Sequence, residues 1–235
     1  MAESTDPIPG AGALPPALAE TARQVFGARL PLAERYAELL ATEGTVRGLV
    51  GPREAPRLWD RHLLNCAVLA ELLPVGSVVA DVGSGAGLPG IVLGVARPDL
   101  SIVLIESLAR RTAFLDEVVD ELQLSRVTVV RGRAEELAGR IAQPDVVTAR
   151  AVASLDRLVR WCLPLLPTGG RLLAVKGASA GDEVAEHAAQ IRRAGGDEPR
   201  VLQCGVGLVE PATTVVEVVR LSGANGKRKR GRADT

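Results

Sequence analysis

The run Val78-Val-Ala-Asp-Val-Gly-Ser-Gly-Ala-Gly-Leu-Pro-Gly90 constrains the fold of this chain more than any other segment. A short β-branched stretch reaches an acid, Asp81, and glycines follow at 83, 85, 87 and 90. Apolar residues that read as a helix come next, from Ile91 to Val95. A strand that turns directly into a helix leaves free N–H groups and a positive dipole end at the turn. Glycines there let a ligand lie on the backbone, because no Cβ stands in the way. So many glycines would weaken a helix start that served structure alone. The segment therefore reads as a nucleotide-type cofactor site.

Two cofactors compete for that loop. Gly85-Ala-Gly-Leu-Pro-Gly90 satisfies the G-x-G-x-x-G dinucleotide pattern, and Glu106 closes the next apolar run, Ser101 to Ile105. An NAD-dependent oxidoreductase is one reading. Asp81 favours another. A dinucleotide pyrophosphate is doubly negative and would be repelled by an acid at the strand tip, whereas S-adenosyl-L-methionine carries a sulfonium and an ammonium that a carboxylate attracts. Glu106 suits the ribose hydroxyls of either molecule. A methyltransferase is the favoured reading and the oxidoreductase its alternative.

The remaining sequence alternates strands with helices. Helical apolar spacing covers Pro31 to Ala41 and Ala55 to Leu73 before the glycine loop. After it come a strand at 101–105, a helix at 109–123, and strands at Val127 to Val130 and Asp145 to Ala149. A helix at 154–163, a strand at Arg171 to Val175 and a polar helix at 181–194 follow, then strands near 201–208 and 213–221. Alternating βα units predict an α/β, Rossmann-like fold with a mostly parallel, seven-stranded sheet. The last two strands lack an intervening helix and are expected as an antiparallel pair at one edge.

At 235 residues and 47% hydrophobic, the chain suits a single domain over 17–222, with N-terminal helices (17–75) and a Rossmann-like core (76–222). The Pro/Gly/Ala-rich residues 1–16 are expected to be disordered, and 223–235 to form a flexible basic tail. No stretch approaches the ~18 apolar residues of a membrane helix, and the N-terminus lacks the basic-then-apolar order of a secretory signal. Cys66, Cys162 and Cys204 lie far apart without metal-type spacing and read as reduced core residues of a cytoplasmic protein. His62 and His187 are too few for a histidine-based metal site, and no metal is expected. Acids and bases balance at 28 each, so nucleic-acid binding would need a local patch.

Ligands of such sheets bind outside the carboxyl ends of the strands, where the strand order reverses. Five strand ends carry candidates: Asp81 with Gly83, Glu106, Ala134 with Glu135, Arg150, and Lys176. Lys176 stands out because only three lysines occur and the other two lie in the tail. A lone lysine in an arginine-rich chain suggests a compact point charge near phosphate or base.

At these positions the residues resemble a known family. Arg61-His-Leu-Leu-Asn65, the loop from Asp81 to Gly90, Glu106-Ser107, Arg111-Thr-Ala-Phe-Leu115, Arg133-Ala-Glu-Glu136, Ala149-Arg-Ala-Val-Ala-Ser-Leu155 and Val175-Lys-Gly177 look like the bacterial 16S ribosomal RNA guanine-N7 methyltransferases, also called glucose-inhibited division protein B. The resemblance runs in order from Ala33 to Leu221. Gly44 to Arg53, and Asn65 where aspartate is common, depart from it. It implies a class I methyltransferase fold and methyl transfer from S-adenosyl-L-methionine to N7 of a guanine in 16S rRNA of the small ribosomal subunit. Carried over, the cofactor contacts are Gly83, Leu88, Ala134, Glu135 and Arg150, joined by Asp81, Gly85, Gly87 and Glu106 from the loop reading.

Guanine N7 offers an in-plane lone pair and no proton, so a general base is unnecessary and positioning can carry the rate. The segment after the fourth strand has no Asn/Asp-Pro-Pro-aromatic run for an exocyclic amine, and no Pro-Cys pair is available for attack on a pyrimidine. Arg150 and Lys176 are expected to steer the base or its phosphates as the catalytic pair. Arg53, Arg61, His62, Arg111 and Lys176 are expected to meet RNA. With few aromatics, recognition is expected to rest on folded RNA or a ribosomal particle, and Trp59 and Trp161 read as core residues. A monomer is expected. A non-catalytic RNA-binding protein that kept the cofactor fold is the third reading.

Overall fold

The computed structural model describes residues 12–51 and 53–222. Seven strands form one sheet: β1 (Val78–Val82), β2 (Ser101–Glu106), β3 (Val127–Arg131), β4 (Val146–Arg150), β5 (Arg171–Lys176), β6 (Arg200–Cys204) and β7 (Thr213–Val219). Their order is β3-β2-β1-β4-β5-β7-β6. The first five are parallel, and β7 runs antiparallel between β5 and β6. The expected antiparallel edge pair is present. Its last strand by sequence has moved inward, which leaves β6 at the edge. The order reverses between β1 and β4, so a crevice opens beyond their carboxyl ends.

Strand geometry sends alternate side chains to opposite faces. On β1, Val79 and Asp81 point one way, and Ala80 and Val82 the other. The Asp81 face is covered by α1 (Ala19–Phe26), α2 (Leu30–Leu39), α3 (Leu64–Ala67), α4 (Gly90–Ala96) and α5 (Ala109–Glu121). The opposite face carries α6 (Ala134–Leu137), α7 (Leu155–Cys162) and α8 (Ala180–Arg193). In α7, Leu155, Leu158, Val159 and Cys162 follow the i, i+3, i+4, i+7 spacing of one buried stripe. Each of the larger ones contributes about 1.5–3 kcal/mol of burial.

The N-terminal segment departs from the expected helices in its winding. Residues predicted as one helix over 55–73 form a 3-10 turn (Ala55–Arg57), a π-helical stretch (Leu58–Leu63), α3, and a second 3-10 turn (Val68–Leu72). Apolar spacing marks the buried side of a helix but does not fix its pitch. The chain is also packed from Gly12 onward, inside the region expected to be disordered. The Gly12 carbonyl accepts the Trp59 indole N–H at 2.9 Å. The rest of that expected tail, and the whole of the basic tail, lie outside the described residues. No helix of the described residues is long and apolar enough to cross a membrane.

Candidate functional site

The loop after β1 is held by its neighbour. The N–H groups of Gly83 and Ser84 both donate to the Ile105 carbonyl of β2, at 2.8 and 3.2 Å. Gly83 and Gly85 adopt left-handed backbone (φ +71° and +59°), which glycine accepts without strain. The glycines nonetheless divide into two kinds. A Cβ on Gly85 would meet only open space and the Gly83 carbonyl at 3.8 Å. A Cβ on Gly87 would strike Ile91 and the Tyr36 hydroxyl, and one on Gly90 would strike Leu104 and Asp81. Gly87, expected at the cofactor, thus lets the N-terminal helices pack against the loop. Tyr36 of α2 completes that contact, its buried hydroxyl donating to the Ala86 carbonyl at 2.7 Å.

A cavity of about 220 Å³ opens beside the β1 tip on the α6–α7 face. Gly83, Glu106, Ala134 and Glu135 border it, as the strand-end positions led us to expect. Val82, Ile105, Val152 and Trp161 add apolar walls. Trp161, expected in the core, packs against it only half-buried at the cavity, with the Arg157 guanidinium 5.8 Å above its ring. The other tryptophan, Trp59, is in the core as expected. Sequence reasoning missed Val152 and Trp161. Trp161 sits beside the buried stripe of α7, and Val152 follows a left-handed Ala151 (φ +56°) that no propensity signals.

Glu106 is 3% exposed and saturated with donors. Its Oε1 accepts the N–H groups of Ser107 (2.8 Å) and Leu108 (3.0 Å); its Oε2 accepts Gly85 N–H (3.1 Å) and Arg111 Nη1 (3.4 Å). A carboxylate has about four lone-pair sites, so a ribose diol would displace Gly85 N–H or Arg111. Arg111, expected on RNA, is turned toward this acid instead.

Asp81, Leu88 and Arg150 do not line the cavity. Leu88 packs against the N-terminal core. Asp81 is fully buried on the opposite face, with Oδ2 accepting Gly90 N–H at 3.0 Å and Oδ1 lacking any partner among the described residues. Burial pushes its carboxyl up to about 7, against the pull of the Gly90 N–H. The permanently negative strand tip expected from the sequence is therefore a group poised near neutrality. Arg150 points to the same face, toward the N-terminal helices. Its guanidinium donates to Cys66 Sγ (3.1 Å), the Arg61 carbonyl (3.0 Å) and His62 Nδ1 (2.6 Å).

Lys176 is also not free for RNA. Its Nζ donates to Glu183 Oε1 (2.9 Å) and the Ala153 carbonyl (3.0 Å), and its side chain is 11% exposed. The same Glu183 oxygen accepts Leu155 N–H at 2.7 Å and so caps α7. Lys176 thus fastens the segment from Ala151 to Ser154, which carries Val152 over Gly83. Arg61 and His62 both pair with Glu54, at 3.1 and 2.9 Å. Of the expected RNA contacts, Arg53 alone is exposed and in no ion pair among the described residues. Cys66, Cys162 and Cys204 are free and buried, and burial raises all three thiols. Among the described residues no group of three or more acids, histidines or cysteines could hold a metal.

The residues suit S-adenosyl-L-methionine. Glu106 would hold the ribose, the apolar cavity walls the adenine, and Gly85 leaves backbone uncovered, while Val152 lies over Gly83. The orphaned Asp81 oxygen answers a cation, which a pyrophosphate does not supply. The sheet also differs from the dinucleotide order 3-2-1-4-5-6 by its inserted antiparallel β7.

Known structures share this fold. An S-adenosylmethionine-dependent methyltransferase from Aquifex aeolicus superposes with a TM-score of 0.55 at 17% identity, covering 74% of this chain and 98% of that one. Aeropyrum pernix fibrillarin, which carries bound S-adenosyl-L-methionine, gives 0.52 at 18% identity, over 68% and 76% of the two chains. At these identities the likeness shows a shared fold. A Salinispora arenicola protein described as ribosomal RNA small subunit methyltransferase G is 63% identical over 229 residues, covering 92% of this chain and 95% of its own. The family model described as rRNA small subunit methyltransferase G matches residues 29–208. The nicotinamide alternative falls with that match: the chain belongs to the rRNA small subunit methyltransferase G family.

Proposed function

We propose that this protein transfers a methyl group from S-adenosyl-L-methionine to N7 of a guanine in 16S rRNA of the small ribosomal subunit. The observation that carries this reading is the pairing of family membership with the β1 tip, where the open backbone of Gly85 and the Glu106 carboxylate lie on the cavity side and the unsatisfied buried Asp81 carboxyl lies on the opposite face. When bound, the cofactor supplies an electrophilic methyl group, and N7 supplies its lone pair.

No proton leaves N7, so the site needs no base. What this chain must do is hold both partners and exclude water. Glu106 and the Val82–Ile105–Val152–Trp161 walls hold the adenosine half. Asp81 holds the ammonium on the other face of β1. Arg150 lies at the end of β4, on the Asp81 side, and we assign it to the incoming guanine and its phosphates. Lys176 we place behind it, fixing the β4–α7 connection rather than touching RNA. Arg53, which is exposed, we assign to the RNA backbone. A cytoplasmic monomer acting on rRNA or on the assembled subunit completes the reading.

Incubation with methyl-labelled cofactor and small subunits from cells lacking this enzyme, followed by mapping of the modified base, tests it. One labelled guanine, resistant to further labelling, is expected. Cofactor binding without transfer would establish the non-catalytic RNA-binding alternative instead.

A further inference from the structure

The guanidinium of Arg150 takes its whole orientation from the N-terminal helical segment, and the central contact is His62. Guanidinium nitrogens only donate, so the 2.6 Å approach of Arg150 Nη2 requires a lone pair on His62 Nδ1. The ring is then neutral, its proton sits on Nε2, and that N–H donates to Glu54 Oε2 at 2.9 Å. Glu54 is held in turn by Arg61 Nη1 at 3.1 Å. The His62 side chain is 15% exposed, so these two contacts, rather than solvent, occupy both ring nitrogens. A chain of hydrogen bonds runs from the surface arginine through acid and imidazole to Arg150.

We infer that His62, oriented by Glu54, is a positioning residue for methyl transfer: its unprotonated Nδ1 fixes the Arg150 guanidinium at the end of β4 for the incoming base. This rests on the role assigned to Arg150 above. Protonation of the ring would remove the acceptor and set two cations against each other. The charged and titratable groups facing His62 are Arg61 on its own helical stretch, Glu54 on the preceding turn and Arg150 on β4. Cys66 and Asp81 lie beyond Arg150. Burial and the Arg150 charge hold the imidazole below its ordinary value, and Glu54 opposes them. The neutral ring is thus the working form at neutral pH.

Three substitutions test the geometry. His62→Gln keeps a donor near Glu54 but places no acceptor at the Nδ1 position, and is expected to lower kcat on small subunits about tenfold. Its affinity for S-adenosylhomocysteine, read by calorimetry, should stay within twofold. His62→Asn carries an amide oxygen where Nδ1 lies. It should recover most of that loss and abolish the fall of kcat toward acid pH expected of the wild type. Glu54→Gln should move that acid limb to lower pH. Equal kcat for His62→Gln and wild type, or an unchanged acid limb in His62→Asn, overturns the inference. A readout independent of turnover is the 15N-histidine titration of the full chain. Arg150→Met should raise the His62 midpoint, and an unmoved midpoint overturns the contact itself. A wild type that titrates as described yet methylates no subunit would instead sink the functional reading.

Discussion

On the α6–α7 side of the β1 tip, Gly83, Glu106, Ala134 and Glu135 border an open cavity with apolar walls. On the other face of the sheet, Asp81 is sealed beneath the N-terminal helices with one carboxyl oxygen unsatisfied, and the half-buried Arg150 has its guanidinium tied to Cys66, Arg61 and His62. The first side is a receptacle whose donors and acceptors are already arranged. The second is a polar cluster in which one Asp81 oxygen lacks a partner among the described residues. A ligand spanning β1 would draw shape complementarity from one face and charge complementarity from the other. At about 220 Å³ the cavity is smaller than the ~300 Å³ at the low end of ordinary ligand pockets. Val152 lies over Gly83 at its inner edge, so room for the rest of a ligand lies past that side chain.

The largest effect should come from the open side. Glu106→Ala removes the acceptor of two loop N–H groups, Gly85 N–H and the expected ribose diol. Calorimetry should show cofactor affinity falling about a hundredfold, close to 2.7 kcal/mol. A loss under threefold would mean that the cavity does not receive the ribose.

The sealed side should respond through pH. The Asp81 carboxyl titrates near 7 when folded and near 3.8 when unfolded. Between those values the unfolded chain gives up a proton that the folded one keeps. The stabilisation is therefore complete below about pH 4 and lost as pH rises to about 7, with an upper bound of ~4 kcal/mol. Asp81→Asn should flatten that slope in melting curves taken from pH 4 to 8. Wild-type affinity for S-adenosylhomocysteine should tighten as pH rises through 7, and the variant should bind about tenfold more weakly at pH 8 with no such rise. Parallel pH curves for the two proteins would remove Asp81 from the cofactor's ammonium.

A smaller effect should separate clamp from catalyst at Lys176. Lys176→Met leaves the Glu183 carboxylate half-paired and should cost about 2 kcal/mol of stability. Glu183→Gln should cost a similar amount, with the double variant far short of the sum. A variant that melts like the wild type but has lost methyl transfer would return Lys176 to the RNA.

The sequence exposed one side of this comparison better than the other. Gly83, Glu106, Ala134 and Glu135 were legible because strand ends of a parallel sheet share one rim, and strand ends can be located from apolar runs. Arg150 and His62 were legible as residues but not as partners, because 88 positions separate them. Both were expected at ligands, and their hydrogen bond to each other was not visible. The partner of Lys176 was hidden for a related reason: the lysine's rarity was visible, and the carboxylate seven residues later on α8 looked like ordinary helix polarity.

Apolar periodicity, the placing of glycines and the order of strand-end acids determined the sheet, its parallel majority and the class of cofactor, because these depend on local geometry and on which residues lie within a few positions of each other. Tertiary structure alone decided three further matters. It inserted β7 between β5 and β6. It made Gly87 and Gly90 serve packing and laid Val152 over Gly83, while Gly85 stays open. It also tied the surface Arg61 with Glu54, His62 and Arg150 into one hydrogen-bonded network. Those outcomes depend on which surfaces meet after collapse, and burial, unlike spacing, is a property of the whole fold.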